Sequence, residues 1–312
     1  MKVNLFVPQH LRCNLLPMFV KAIEEVAKFT SPIQTIDRAY GSSTVRPGAA
    51  TMFFVNDEGV AVTCNHVAQL IPFSQSLAEK YSQFRNQKEL LQKGGNYNKK
   101  VKELLQQFGF ETNPLAQLLV RFSCAEAFDA VQVIPHPKYD LAIVKLVNPK
   151  NLLYSSYAKF LKTGNEIKQG TFLCRLGFPF PEFQNFQYNA STDTIEWTQQ
   201  GVSGTPRFPI EGMVTRHLAD ENGVFGIEMS TPGLKGQSGG PLFDSNGIVY
   251  GMQYATNHLH LGFDMHNREI VANAERIKIS HYQPFLHVGW CLHAEVIKNF
   301  LRENSVKYFE SE

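Results

Sequence analysis

The chain has 312 residues, 43% of them hydrophobic and 19% charged, with a net charge of +2. This is globular composition with room for one large core or two smaller ones. The near-neutral balance gives no basic footprint for nucleic acid, and no run approaches the ~20 apolar residues of a membrane span.

The five cysteines, Cys13, Cys64, Cys124, Cys174 and Cys291, are odd in number and scattered, with no CxxC pair. They read as free thiols in a reducing compartment. The first thirty residues lack a signal-peptide pattern, because the apolar run Val3 to Val7 is short and is followed by Pro8, His10 and Arg12. The expected location is the cytoplasm.

In chain order, residues 11 to 29 carry apolar residues at helical spacing (Leu15, Phe19, Val20, Ile23, Val26), and residues 1–39 are expected to form an N-terminal helical segment. Strand texture starts near Tyr40. Gly48 to Val55 and Val60 to Cys64 form a hairpin about the turn Asn56-Asp57-Glu58-Gly59, delivering His66 at its end. Residues from about 70 to 125 read as a helical insertion. Between 74 and 110 it holds seven Lys/Arg against three Glu, which fits either a solvated helical hairpin or a docking surface for an acidic, activating protein partner.

Strands resume at Val131 to Ile134. Asp140 stands directly before the apolar run Leu141 to Leu146, where a carboxylate entering a buried strand needs a partner. A polar linker spans 149–164. Further strands are expected at Thr171 to Gly177, Gly212 to Thr215, Gly226 to Ser230 and Ile248 to Tyr254. Residues 257–287 form a long excursion with His258, His260, Asp264 and His266. These are zinc-type ligands in kind, but nothing in the sequence fixes their geometry, and no metal is assigned. A last strand at Val288 to Leu292 precedes a terminal helix from His293 to Asn304.

The most informative stretch is Gly233-Leu234-Lys235-Gly236-Gln237-Ser238-Gly239-Gly240-Pro241-Leu242. Its glycines suit a turn that aims backbone N–H groups inward, about a seryl oxygen and a substrate carbonyl. With His66 and Asp140 upstream, the three residue types of a nucleophilic triad are present, each at a strand edge.

Together these segments resemble the trypsin-like serine peptidases, nearest the bacterial HtrA-type branch without a PDZ domain. The likeness runs from about Gly48 to Asn304, apart from the insertion and the excursion. Cys64 stands where the family has an asparagine, and Gln237 where it has Asn or Asp. The resemblance implies an all-β fold of two six-stranded antiparallel barrels. The first would be 40–160, the second 161–292, and 293–312 a C-terminal helix and tail.

It also implies Ser238 as nucleophile, His66 as base, Asp140 as the residue orienting His66, and the N–H groups of Gly236 and Ser238 as an oxyanion hole. No cofactor is required. Pro232, Gly233, Lys235, Tyr254, Ala255, Thr256 and Gly289 would border the pocket for the substrate residue before the scissile bond (P1). Pro232 stands where trypsin has its specificity aspartate, so a small or apolar P1 residue is expected. Neutral Gln237 argues against activation by a newly cut N-terminus.

The implied activity is endopeptidase cleavage of a protein or peptide. Stand-alone bacterial relatives of this kind often act on one dedicated protein, as in defence or toxin activation, and restricted specificity is expected here. A housekeeping HtrA-like degradative protease and a non-cutting peptide-binding module are the alternatives.

Overall fold

The β-branched and aromatic runs of the sequence form strands, and these assemble into two antiparallel sheets packed on a shared core. This computed structural model describes residues 18–312 except 264, 273–274 and 283–284; within 265–282 it describes the backbone alone.

The described chain opens on helix α1 (Val20–Ala27), whose buried face is Ala22 and Val26. Residues 11–17 of the expected helix lie outside the described residues. Strand β1 (Thr30–Ala39) follows, so the expected helical segment ends earlier than 39. It pairs with β2 (Val45–Phe54), which pairs with β3 (Val60–Thr63) as the predicted hairpin.

Short helix α2 (Asn65–Ala68) leads into α3 (Leu70–Glu89) and α4 (Tyr97–Gln107), the expected helical insertion. Leu77, Tyr81, Phe84 and Leu104 bury themselves there against Phe110, Ala116 and Leu118. Two of its cations are used at home: Arg85 donates to Thr192 O (2.7 Å) and Lys88 to the Tyr40 hydroxyl (3.1 Å). The insertion ends sooner than expected, because Leu115–Phe122 is strand β4, paired along β1.

Strands β5 (Ala125–Ala127), β6 (Ala130–Pro135) and β7 (Ala142–Val147) complete this half, and β5 pairs with β8 (Lys150–Leu152). The first sheet has the order β4-β1-β2-β3-β7-β6. It is a curled six-stranded sheet; among the described residues no pairing joins β4 to β6. The expected linker 149–164 holds β8 and a short strand, β9 (Lys159–Phe160).

The second sheet uses β10 (Phe172–Gly177), β13 (Phe208–Asp220), β14 (Gly223–Met229), β15 (Pro241–Phe243), β16 (Val249–His260) and β19 (Phe285–His293). Between them lie two hairpins, β11 (Phe186–Asn189) with β12 (Thr194–Trp197), and β17 (Met265–Ala272) with β18 (Glu275–Tyr282). The order β15-β10-β13-β14-β19-β16 closes through a β15–β16 pairing into a six-stranded barrel. Helix α5 (Ala294–Glu303) and strand β20 (Phe309–Glu310) finish the chain, β20 lying parallel to β9 on the outer edge. This is the expected double-barrel architecture with the second barrel closed and the first, among the described residues, left open as a curled half-barrel between β4 and β6. The shared core joins Met52, Phe53 and Val62 of the first half to Leu176, Phe243, Met252 and Leu292 of the second.

His293 caps α5, its Nδ1 accepting from the Glu295 N–H (3.1 Å). Burial pulls its pKa down to about 4, more strongly than Glu295 pulls it up. A histidine held neutral in the fold but free to charge when unfolded stabilises the protein above the unfolded value near 6.5. That contribution is lost as pH falls towards 4. The expected loss is ~3 kcal/mol, and His293→Asn, which keeps a cap without a titration, should flatten it. Urea unfolding at pH 7 and pH 4.5 checks the difference.

Candidate active site

His66 reaches the cleft because β3 ends at Thr63 and Cys64 serves as N-cap of α2. Asp140 arrives on the loop between β6 and β7, just before buried Leu141. That loop is pinned across the molecule. The Tyr139 hydroxyl donates to Asp220 Oδ2 (2.9 Å), its ring stacks on Phe225, and Lys138 pairs with Asp220 (3.0 Å) and Glu221.

The two residues meet. His66 Nδ1 lies 2.7 Å from Asp140 Oδ2, and the backbone N–H of His66 donates to Asp140 Oδ1 at 2.9 Å. Partial burial works against the Asp140 charge, but the ring and backbone hydrogen bonds from His66 outweigh it and hold the carboxyl below the usual carboxylate range. A carboxylate on Nδ1 fixes that nitrogen as the protonated one and leaves Nε2 as the acceptor.

Ser238 sits on the turn between β14 and β15. Leu234 to Gln237 is a tight turn with Gln237 N–H donating to Leu234 O (3.0 Å) and Gly236 at φ +94°. A positive φ at the third position is the type II signature, which sets the Lys235–Gly236 peptide opposite to its type I orientation. A Cβ on Gly236 would lie 2.6 Å from Phe178 O, so only glycine fits. Among the described residues, neither the Gly236 nor the Ser238 N–H donates to a protein acceptor.

Gln237 is fully buried and braces the turn from inside. Its Oε1 accepts from Leu234 N–H (3.0 Å) and its Nε2 donates to Phe208 O (3.0 Å).

The nucleophile turn is fastened to the first half by Thr51, which sequence reading saw only as a strand residue. Thr51 Oγ1 donates to Gly236 O (2.7 Å) and accepts from Phe178 N–H (3.1 Å), while its N–H donates to Ser238 O (3.1 Å). Thr51→Val keeps the shape but orphans two buried groups. It should cost ~2 kcal/mol of stability and slow reaction at Ser238 about tenfold through misplacement of the turn, read by denaturant unfolding and by fluorophosphonate labelling.

Gln253 O links the segments that carry Ser238 and His66. It accepts from the Gly239 N–H (2.8 Å) and from Cys64 Sγ (3.3 Å), joining the residue after Ser238 to the residue two before His66. The Ser238 hydroxyl itself makes no hydrogen bond among the described residues. Cys64, His66 and Asp140 have ligand atoms within 4.8 Å of one another, a metal-like grouping. Its chemistry does not suit a cation. Burial, then the Asp140 charge, push the Cys64 thiol well up, and His66 already occupies both carboxylate oxygens.

Three of the expected P1 wall residues, Gly233, Thr256 and Gly289, meet. Thr256 pairs with Gly289 across β16 and β19, and its Oγ1 donates to Gly233 O (2.8 Å). Tyr254 is half-buried, its ring against Trp290, and its phenol is pushed up chiefly by burial. Pro232 and Ala255 are half-buried; Lys235 is exposed on the turn. Of the four zinc-type residues, His258 and His260 stand on β16, and His258 Nδ1 is 2.5 Å from His287 Nδ1. Asp264 and the His266 side chain lie outside the described residues.

The family model for the trypsin-like peptidase domain matches residues 50–252, a span that includes His66, Asp140 and Ser238. The chain belongs to the trypsin-like peptidase family. No curated protein matches it in sequence. Among solved structures, it is similar to the HtrA-type protease AlgW with a tripeptide, at 14% identity and a TM-score of 0.43, over 90% of this chain. This trypsin-like chain spans 62% of that protein's length. The match includes Thr51 and Gln237, so the residues that fix the nucleophile turn lie within the trypsin-like domain itself.

Proposed function

We propose that this chain is a serine endopeptidase acting through Ser238, His66 and Asp140. The observation that carries the reading is the doubly hydrogen-bonded His66–Asp140 pair, tied to the Ser238 turn through Gln253 O, which accepts from both Gly239 N–H and Cys64 Sγ. Ser238 Oγ attacks the peptide carbonyl, and His66 Nε2 takes its proton and returns it to the leaving amine. Asp140 keeps the proton on Nδ1 and balances the imidazolium. The N–H groups of Gly236 and Ser238 receive the oxyanion; one such donor contributes about 3–4 kcal/mol in the transition state. Water then repeats the sequence on the acyl-enzyme.

The helical hairpin and the β16–β19 extension with its β17–β18 hairpin support access by a dedicated protein rather than by unfolded chains in general. Four buried free thiols, Cys64, Cys124, Cys174 and Cys291, support a reducing, cytoplasmic location. One observation favours a non-cutting peptide-binding module instead: the Ser238 hydroxyl is not hydrogen-bonded to His66. In free enzymes this bond is loose and tightens on substrate binding, so the peptidase reading stands ahead.

Reaction with a fluorophosphonate separates the two. Labelling of the wild type, absent in a folded Ser238→Ala variant, is the expected result. A folded wild type that stays unlabelled yet binds peptides would favour the module. Broad cutting of casein would point to a degradative enzyme in place of a dedicated one.

A further inference from the structure

Behind the nucleophile turn, two bare walls face each other. Gly233 belongs to the segment leading into Ser238, and Gly289 lies on β19 opposite Thr256. The space between them is filled from within by Arg175 and Gln253. A Cβ on Gly233 would lie 2.6 Å from Gln253 Cδ, and one on Gly289 would collide with Arg175 Nη1. Arg175 comes from β10, where it interrupts the apolar run Phe172-Leu173-Cys174-Arg175-Leu176.

Arg175 is 0% exposed, and its charge is unmatched. Nη1 donates to Gln253 Oε1 (2.6 Å), and Nη2 donates to Thr231 O (3.0 Å) and Thr231 Oγ1 (2.5 Å). All three acceptors are neutral. Nε has no partner at all. Among the described residues Arg175 makes no ion pair, and burial pulls its pKa down with only two buried cysteines opposing. Other buried cations of this chain are compensated: Arg38 meets Asp193 (2.7 Å), and Lys298 meets Glu295 and Glu310 (both 2.7 Å).

A buried guanidinium without a carboxylate is costly to keep. Here it abuts Gly289, and its partner Gln253 abuts Gly233, two of the residues expected to wall the P1 pocket, where a substrate side chain would bring the missing charge. Gln253 seals it from the cleft, with Oε1 on Arg175 and Nε2 donating to Ala255 O (2.5 Å).

We infer that the P1 pocket selects an acidic residue, glutamate or aspartate, whose carboxylate turns the Gln253 amide aside and pairs with Arg175. This rests on the peptidase reading above, and it replaces the small or apolar preference expected from Pro232. Arg175 and Gln253 are then the residues that set specificity. Lysine and arginine at P1 are rejected by charge, and apolar side chains are rejected because they would strip polar groups of their partners without replacing them.

The test uses the full chain and peptidyl diphenyl phosphonates differing only at P1: glutamate, aspartate, glutamine, alanine, leucine and lysine. A fluorophosphonate without a P1 side chain reports Ser238 reactivity separately. Labelling by the glutamate or aspartate probe should be at least about tenfold faster than by alanine or leucine, a margin of ~1.4 kcal/mol. Gln253→Glu places a near-isosteric carboxylate on Arg175 within the fold. It should erase the acidic preference, read as the ratio of glutamate-probe to alanine-probe rates within that one variant, whose fold is checked by denaturant unfolding. Arg175→Met should erase it as well, but because that variant removes a buried staple, Gln253→Glu is the deciding one.

Preference for alanine, leucine, glutamine or lysine, with normal fluorophosphonate labelling, would overturn the inference and leave the peptidase reading intact. An acidic preference that survives Gln253→Glu would also overturn the assignment to Arg175. No labelling of a folded protein by any probe would remove the peptidase reading and this inference together.

Discussion

Asp140→Asn is expected to slow fluorophosphonate labelling of Ser238 by about three to four orders of magnitude while leaving the fold in place. The amide keeps an oxygen for the His66 backbone N–H, now donated to Asp140 Oδ1 at 2.9 Å. Its NH2 then faces His66 Nδ1 across the present 2.7 Å contact. A donor there forces Nδ1 to accept, which moves the ring proton to Nε2. The nitrogen that must take the Ser238 proton is then already protonated, and no carboxylate remains to balance an imidazolium. Because the His66 hydrogen bonds hold the Asp140 pKa below its ordinary value, against burial, the carboxylate adds stability above an unfolded value near 4. That stability is lost as pH falls through the lower folded value, so stability at neutral pH and labelling rate together separate this variant from a misfolded one. Labelling within tenfold of the wild type would remove Asp140 from the mechanism.

The candidate triad was legible because each residue lies where local sequence changes texture: His66 after a hairpin, Asp140 before an apolar run, Ser238 within a glycine turn. Thr51, Arg175 and Gln253 carried no such mark, since their roles arise only where distant strands converge. Thr51 serves Gly236 and Phe178 across more than a hundred residues of chain. Arg175 left one faint signal, a lone charge inside an apolar strand, which burial rules flag as needing a partner. Strand β1 was hidden for a related reason. Its buried positions include Gln34 and Arg38, satisfied by Ser203 O, Thr205 and Asp193, so its polar residues mask the strand pattern. Strand β4 erred the other way. Leu115 to Phe122 is nearly continuously apolar, and pairing with β1, not local propensity, decides its conformation.

The same contrast between local and distant constraint predicts two very different results for one substitution. Gly41→Ala and Gly239→Ala both place alanine at positive φ, +74° and +87°. At Gly41 a Cβ meets nothing within 4 Å, so the expected loss is the conformational term alone, about 1–2 kcal/mol. At Gly239 a Cβ would overlap the carbonyl oxygen of Thr51 and the hydroxyl of Thr63, and it would lie 3.1 Å from Thr51 C. Two of those atoms are backbone in a buried strand, which no rotamer change can move aside. Thr63 Oγ1 is held on Thr51 O at 2.6 Å, so yielding there breaks a buried hydrogen bond too. The chain must either lose more than about 4 kcal/mol or swing the 238–240 turn away from β2. The second route breaks the Thr51–Ser238 and Gly239–Gln253 backbone bonds, which tie the Ser238 turn to β2 and, through Gln253 O, to Cys64. Gly239→Ala should therefore abolish labelling even where it leaves folded protein, whereas Gly41→Ala should label as the wild type does. Denaturant midpoints and labelling rates for the pair test whether the close approach of this turn to β2, rather than its positive φ, is what the glycine serves.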